Sequence, residues 1–162
     1  KNINDDKINL YIAGNFENKI IEEEVMKQID DLQNIIYLGF LNWDDIIKYL
    51  SKSKIGIVTL HPIENYITSY PIKLFEYMAM ELAVIGSNFP LWEDIIVSNE
   101  CGLVVDPLQP KEIAKAINDL INDPDKIDFF GSNGKKNVVE KFNWKIEEKK
   151  LIKLYLRILD EN

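Results

Sequence analysis

The segment KIGIVTLHPIENYITSYPIKLFEYMAMELAVIGSN, Lys54 to Asn88, contains two short apolar runs separated by a helical pattern. The runs KIGIVTL and AVIGSN are rich in β-branched residues and apolar almost throughout, as in strands that are buried on both faces. Between them, SYPIKLFEYMAM has a proline near its start and apolar residues around much of a helical wheel. A strand, a helix and a second strand in this order predict a β-α-β unit with parallel strands.

The same alternation of strands and helices extends along the chain on both sides of this unit. The runs INLYIAG, NIIYLGF and CGLVVDP predict three more strands, with helical patterns between them, and Asn42 is placed as the N-cap of one helix. After Pro107 the pattern predicts three consecutive helices, of which residues 143–162 form the closing helix. We therefore predict an α/β fold with a doubly wound, mostly parallel, Rossmann-like sheet, helices on both faces and a helical C-terminal tail.

Composition and charge exclude several classes of function. The 162 residues carry a net charge of −8, which disfavours binding to nucleic acid and direct binding of this domain to an anionic membrane. A single cysteine excludes an internal disulfide and fits a reducing compartment, and a single histidine, His61, argues against a zinc site. We expect neither a metal nor a cofactor. No apolar run reaches the roughly 18 residues that a membrane-spanning helix needs, and no secretion signal is visible, so we expect a cytoplasmic protein.

Glu76 is a candidate ligand-binding residue because of its place on the predicted helix. On a helical wheel it lies at the margin of the apolar arc, between Ile72 and Met80, whereas Glu81 lies on the outward side. Two interpretations are open. Glu76 either forms an ion pair with Lys73 on a solvated face, or accepts hydrogen bonds from two neighbouring hydroxyls of a ligand, such as a ribose diol.

The first turn of the same helix is suited to an anion. Pro71 is compatible with an early helical position because the amide it lacks would have no acceptor there. The free amides of Ile72, Lys73 and Leu74 should point toward the strand ends, where the helix dipole favours negative charge, and the Lys73 ammonium adds to it. This arrangement suits a nucleotide diphosphate, although residues 69–71 are also compatible with an ordinary capped helix start.

Several motifs carry a resemblance to a known family. The segments KLFEYMA, AVIGSNFPLWEDII and CGLVVDP, together with LYIAGN, IIYLGFL and FNWKIEEKKLIKLY, resemble the nucleotide-sugar-binding half of the retaining glycosyltransferases of family 4. Those enzymes have the two-domain GT-B fold, and the resemblance spans nearly the whole chain. It implies that residues 1–162 are the C-terminal, donor-nucleotide-binding domain, without its first strand and without the N-terminal acceptor domain. Lys1 is not a natural start, which fits a fragment.

The resemblance also implies roles for individual residues. Glu76 matches the second glutamate of a pattern of Glu, seven residues and Glu, which binds the donor ribose, and the amides of residues 72–74 match those that bind the diphosphate. Phe40, after Gly39, matches a residue whose backbone lies against the nucleobase, and Gly14 would leave room for the nucleotide. Three further residues are candidates for contact with the ligand: His61, Glu64 and Ser69.

The chain departs from the family pattern at three places. Thr68 stands where the first glutamate, which contacts the donor sugar, is expected, and no residue is assigned as catalytic. Glu64 lies four residues earlier, and a loop shift would be needed to bring it into that place. Phe89 and Pro90 replace a Gly-Gly pair, and the Arg and Lys that clamp the diphosphate have no counterpart before Lys7. A branch of the family with Ser-x-Pro-x-Lys-x-x-Glu looks similar, which indicates a variant of the pattern.

The resemblance implies a function for the intact protein. We expect it to transfer a hexose or N-acetylhexosamine from a UDP- or GDP-sugar to a glycan or polyprenyl-linked acceptor, in the assembly of bacterial O-antigen, capsule or lipopolysaccharide. We expect the intact enzyme to work in the cytoplasm, at the inner face of the plasma membrane, and the fragment alone to be inactive. Two alternatives stay open: a nucleotide-sugar epimerase of GT-B shape, and a non-catalytic relic domain that binds nucleotide.

Overall fold

The computed structural model describes residues 8–160, which divide into two compact units, residues 8–52 and residues 53–160. Each unit has its own sheet, and the described strands within each sheet are parallel. The predicted Rossmann-like α/β class is therefore confirmed, with the hydrogen-bonded ladders forming two sheets. Lys1 and the last two residues of the predicted closing helix, 161–162, lie outside the described residues.

The first unit contains two parallel strands and two helices. In chain order these are β1 (Leu10–Ile12), α1 (Lys19–Ile29), β2 (Ile35–Tyr37) and α2 (Trp43–Leu50). Strand β1 pairs with β2 so that Leu10 lies opposite Ile35. The Asn42 side chain accepts a hydrogen bond from the Asp45 amide at 3.0 Å, which confirms Asn42 as an N-cap.

The second unit contains the predicted β-α-β segment. Its elements are β3 (Ile55–Val58), α3 (Glu64–Ile67), α4 (Ile72–Ala79), β4 (Ala83–Ser87), α5 (Pro90–Ile96), β5 (Gly102–Val105), α6 (Pro110–Ile121), α7 (Pro124–Glu140) and α8 (Trp144–Asp160). The strand order is β3-β4-β5, so the fully buried strand β4 is central. Ile55 pairs with Ala83 on one side of β4, and Gly102 pairs with Val84 on the other.

Helices cover both faces of this second sheet, as predicted. Successive side chains of a strand point to opposite faces, so alternate residues of β4 enter different clusters. Val84 packs with α4 and α5 in a cluster that includes Leu74, Met78, Trp92 and Ile96. Ala83 and Ile85 pack with α6 and α7 in a cluster that includes Leu120, Ile127 and Phe130.

Two local features differ from the sequence-based expectations. Helix α4 starts at Ile72, and Pro71 is its N-cap with an extended backbone (φ −73°, ψ 130°), one position before the helix. Residues 64–67, for which the sequence pattern predicts neither a helix nor a strand, form the single helical turn α3. This turn is too short for a hydrophobic period to show in the sequence.

The closing helix is confirmed as α8, and it has no buried residue. Its exposed apolar side chains include Trp144, Leu151, Leu154, Tyr155 and Ile158. Among residues 8–160 no helix has the length and apolar content needed to cross a membrane.

Helices α4 and α7 approach closely at two glycines of α7. A Cβ added to Gly131 would lie 2.2 Å from the backbone oxygen of Glu81, which lies two residues beyond the end of α4 in a left-handed conformation (φ 60°). A Cβ added to Gly134 would lie 3.3 Å from the Cα of Met78, which is a tight contact but not a clash. The end of α4 is therefore held against α7 by a contact that only a glycine at position 131 permits.

We expect Gly131→Ala to lower the free energy of unfolding by about 1–3 kcal/mol, because the new methyl group meets backbone that has to move and this outweighs a gain in helix propensity of about 1 kcal/mol. Gly134→Ala is the matched control on the same helix face. It should be close to neutral, because a gain in helix propensity of about 1 kcal/mol offsets its milder contact. Urea unfolding followed by circular dichroism measures both variants, and equal stabilities would contradict the assigned contact.

Cys101 should make the stability depend on pH in the alkaline range. Burial raises the pKa of the Cys101 thiol to about 11, above the value of about 8.5 in an unfolded chain. Because the folded state favours the protonated thiol, this contribution is complete below pH of about 8.5 and is lost as the pH rises toward about 11.

We expect Cys101→Ala to be less pH-dependent than the wild type between pH of about 8.5 and 10 in urea unfolding. In the same range the folded wild-type thiol should react far more slowly with iodoacetamide than the thiol of the unfolded chain. Rapid labelling of the folded protein at pH of about 8.5 would contradict the assigned burial.

Candidate functional site

The carboxyl ends of β3 and β4 are joined by a serine side chain. Ser87 is fully buried at the end of β4, and its Oγ accepts a hydrogen bond from the Leu60 amide at 2.9 Å and donates to the Leu60 carbonyl at 3.0 Å. The hydroxyl therefore continues the pairing of β3 with β4 two residues beyond the last strand residue, Val58. It fixes the start of the segment that leads to α3 and α4.

The start of α4 carries two amides without an acceptor in the described part of the chain. The Leu74 amide donates to the Pro71 carbonyl at 3.0 Å, so it is already used within the helix. No acceptor within residues 8–160 is found for the amides of Ile72 and Lys73, and Pro71 makes no side-chain cap. Two free amides are thus present where the sequence suggested three, next to the exposed ammonium of Lys73.

Glu76 lies one turn further along α4 and is half-buried. Its carboxylate makes no hydrogen bond or ion pair with Lys73 or with any other residue in 8–160, whereas Glu81 on the same segment pairs with Lys135. The solvated Glu76–Lys73 ion pair is therefore absent from the structure, and the carboxylate is left able to accept hydrogen bonds from a ligand. Burial, and to a smaller extent the neighbouring Glu76 charge, raises the pKa of Tyr77.

The connection before α4 is attached to the core through an indole. Trp92 of α5 is fully buried, and its Nε1 donates to the Ser69 carbonyl at 2.7 Å. The Ser69 side chain itself is exposed. Ser69 is a candidate from the sequence pattern, whereas Trp92 is not, since a tryptophan in an apolar helix predicts only a core position.

Thr68 and Glu64 lie at opposite ends of the turn α3. Thr68 is its C-cap, and its Oγ1 donates to the Glu64 carbonyl at 2.8 Å, four residues earlier. Both side chains are exposed, as is that of His61, whose carbonyl accepts from the Ile63 amide. A helical turn places residues four apart on one face, so Glu64 and Thr68 share a face one turn apart.

The first unit holds its own group of candidate residues at the ends of β1 and β2. The Gly14 amide donates to the Gly39 carbonyl at 2.8 Å, and the Tyr37 hydroxyl donates to the Gly14 carbonyl at 2.8 Å. Gly14 (φ 139°) and Gly39 (φ 65°) adopt backbone conformations that favour glycine, and a Cβ at either would meet no atom within 4 Å. Phe40 is 73% exposed. The two loops thus leave open space above their backbone.

Surface cavities lie elsewhere in each unit. One of about 360 Å³ is lined by residues of α7 and by Glu81, and one of about 340 Å³ by residues of α2 and its surroundings; neither includes Glu76. Each holds a surface ion pair, Lys135 with Glu81 and Lys48 with Asp45, and the Lys48 ammonium lowers the pKa of Asp45. Within residues 8–160 no three His, Cys, Asp or Glu side chains are grouped to hold a metal ion.

Known relatives of the chain are glycosyltransferases. The uncharacterized glycosyltransferase MJ1607 of Methanocaldococcus jannaschii is 28% identical over 146 residues, which is 90% of this chain and 36% of the relative. The capsular polysaccharide biosynthesis glycosyltransferase CapM of Staphylococcus aureus is 36% identical over 87 residues, which is 54% of this chain and 23% of the relative. The chain therefore spans about a third or less of the length of these relatives.

Two solved structures share the fold. The C-terminal domain of the glycosyl transferase group 1 family protein LpcC of Francisella tularensis matches with a TM-score of 0.62 and 27% identity, over 75% of this chain and 60% of that one. HepE of Anabaena, solved in complex with UDP, matches with a TM-score of 0.83 and 18% identity, over 94% of this chain and 42% of that one.

The family assignment comes from the sequence itself. Residues 1–137 match the family Glycosyl transferases group 1, which covers most of the 162 residues. The match includes β1 to β5 and the whole start of α4 with Glu76. The chain thus belongs to the group 1 glycosyl transferases.

Proposed function

We propose that this chain is the C-terminal, donor-binding domain of a retaining glycosyltransferase of family 4 and that α4 binds the nucleotide of the sugar donor. One observation carries the proposal. Glu76 is half-buried as a residue but its carboxylate oxygens are open to solvent; they have no partner among residues 8–160 and lie one turn inside a helix whose amides at Ile72 and Lys73 have no acceptor there. The open carboxylate can accept hydrogen bonds from hydroxyls, and the two open amides can donate to an anion. Together they suit a ligand that carries both hydroxyls and negative charge.

The spacing along α4 fits the pentose and diphosphate of a nucleotide. A rise of 1.5 Å per residue separates the level of Ile72 from that of Glu76 by about 6 Å. In the proposed complex the Glu76 carboxylate accepts hydrogen bonds from the two ribose hydroxyls, a charge-assisted and bidentate contact. The phosphates lie at the start of the helix, against the amides of Ile72 and Lys73 and the Lys73 ammonium.

The same contacts would assist the chemistry of the intact enzyme. Cleavage of the bond between the sugar and the diphosphate increases the negative charge on the leaving phosphate. Helix amides and the Lys73 ammonium that are already oriented toward this group stabilise that charge without having to reorganise. The Glu76 contact to the ribose holds the donor in register, so this domain contributes positioning and charge stabilisation.

The neighbouring segments are proposed to recognise the rest of the donor. Glu64 and Thr68, on one face of α3, occupy the stretch that contacts the sugar in the family pattern, with His61 and Ser69 as further candidates. Gly14, Gly39 and Phe40 stay candidates for the nucleobase, as the resemblance implies. These assignments stay predictions. Each can be tested by substituting the residue and titrating the variant with nucleotides.

The comparisons support the type of donor and the setting. HepE was solved with UDP, and CapM acts in capsular polysaccharide biosynthesis, which favours a UDP-sugar and a surface polysaccharide for the intact protein. LpcC supplies a solved C-terminal domain of the same family. We propose a cytoplasmic enzyme that transfers a hexose or N-acetylhexosamine to a glycan or polyprenyl-linked acceptor. We also propose that the 162 residues bind the donor but do not transfer it, and any transfer by this chain alone would contradict that.

We expect Glu76→Gln to weaken UDP binding about 10- to 100-fold, because a neutral amide replaces the charged acceptor of two hydroxyl donors. Isothermal titration of the purified chain with UDP measures the loss. A thermal-shift panel of UDP, GDP, ADP and their sugar conjugates identifies the base, since a ligand at about 100 times its Kd adds about 2.7 kcal/mol of stability.

The control is Glu81→Gln, which alters an exposed carboxylate paired with Lys135 just after the same helix. Such a surface pair contributes little to stability, and Glu81 has no part in the proposed site, so UDP affinity should stay within about twofold of the wild type. Equal affinities of the two variants would instead indicate a relic domain in which Glu76 binds nothing.

A further inference from the structure

We infer that Trp92 is a positioning residue for donor binding. Its indole N–H holds the connection Ser69–Pro71 and thereby the open amides at the start of α4. The inference rests on the proposed function, since it explains how the amides proposed for the diphosphate are kept in place. Trp92 lies in α5 and acts through the backbone of residues 69–71, so it is not itself proposed as a ligand contact.

Trp92 is a rigid anchor. Its side chain is fully buried in the cluster that contains Leu74 and Met78, and its ring packs edge-on against Phe89 with centroids 5.0 Å apart. A buried indole N–H needs an acceptor, and the Ser69 carbonyl at 2.7 Å supplies it. The packing of the core therefore sets the direction in which the indole N–H points, and this fixes the position of the Ser69 carbonyl.

The connection itself has few other attachments among the described residues. The side chain of Ser69 is exposed, and the Tyr70 ring, also exposed, contacts Phe75 of α4 edge-on with centroids 6.3 Å apart. The Ser69 amide reaches the Tyr66 carbonyl only at 3.5 Å, which is the upper limit for a hydrogen bond. The Pro71 carbonyl accepts from the Leu74 amide, but that bond lies within the helix start and moves with it. The bond from Trp92 is thus the short link between this connection and the buried core.

The rest of α4 is held independently of this link. Leu74 and Met78 are fully buried, so the helix stays in place around Glu76 whether or not the connection before it is fixed. Loss of the indole N–H should therefore loosen the amides of Ile72 and Lys73 more than the Glu76 carboxylate. In binding, this predicts a loss that depends on the phosphates of the ligand and spares its nucleoside part.

The test is Trp92→Phe, which removes the donor and keeps an aromatic ring in the core. We expect the affinity for UDP to fall about fivefold, the effect of one hydrogen bond, while the affinity for uridine stays within about twofold of the wild type. NMR titrations of the purified chain with UDP and with uridine measure both. Trp144→Phe, at a residue that is 69% exposed, is the control and should change neither affinity.

The outcomes separate the inference from the proposed function. Unchanged UDP affinity in Trp92→Phe, or equal losses for UDP and uridine, would overturn the positioning role. The proposed function would still stand if the wild type binds UDP and Glu76→Gln does not. If the wild type binds neither UDP nor uridine, the proposed function fails and the inference fails with it.

A second measurement applies if Trp92→Phe does not fold. The exposed Trp43 and Trp144 can both be replaced by Phe, which leaves the Trp92 indole N–H as a single resolved signal in a nitrogen-proton spectrum. We expect this signal to shift more on addition of UDP than of uridine, and its exchange with water to slow. A signal that does not respond to saturating UDP would overturn the inference.

Discussion

The second unit depends on the burial of β4 on both faces. This strand pairs with β3 and β5, and its alternate side chains enter the two apolar clusters that hold α4 and α5 on one side and α6 and α7 on the other. A shift of its register by one residue would exchange the two sets of side chains between the clusters. The end of β4 is consequently a fixed point, and Ser87 at that end ties down the segment that leads toward α4.

The candidate site consists of polar groups of α4 that have no hydrogen-bond partner among the described residues. Within residues 8–160, Asp45, Glu81 and Glu147 pair with a lysine, whereas Glu76 and several other carboxylates do not. No fully buried side-chain polar atom of the described residues lacks a partner, so the unpaired Glu76 oxygens are open to solvent and accessible to a ligand. An open acceptor beside helix amides without an acceptor is the feature on which the proposed ligand site rests.

Much of this arrangement could be predicted from the residue pattern, for identifiable reasons. The buried strands KIGIVTL and AVIGSN stand out because they are apolar and β-branched, and Asn42 is recognisable because an N-cap needs a side-chain acceptor. The position of Glu76 at the edge of the apolar arc follows from helical periodicity alone.

What the pattern could not predict depends on contacts between distant residues or on very short elements. The Trp92–Ser69 and Ser87–Leu60 bonds span 23 and 27 residues, and nothing in either residue type specifies its partner. The turn α3 has only four residues, and Pro71 lies outside α4 because its extended backbone ends the preceding connection.

The burial of Trp92 also gives the protein an optical property. Trp43 and Trp144 are 54% and 69% exposed, whereas Trp92 is fully buried. Solvent dipoles relax around the excited state of an exposed indole and move its emission to longer wavelengths, which a buried indole does not undergo. The short-wavelength edge of the intrinsic fluorescence should therefore arise mainly from Trp92, whose indole N–H donates to the Ser69 carbonyl.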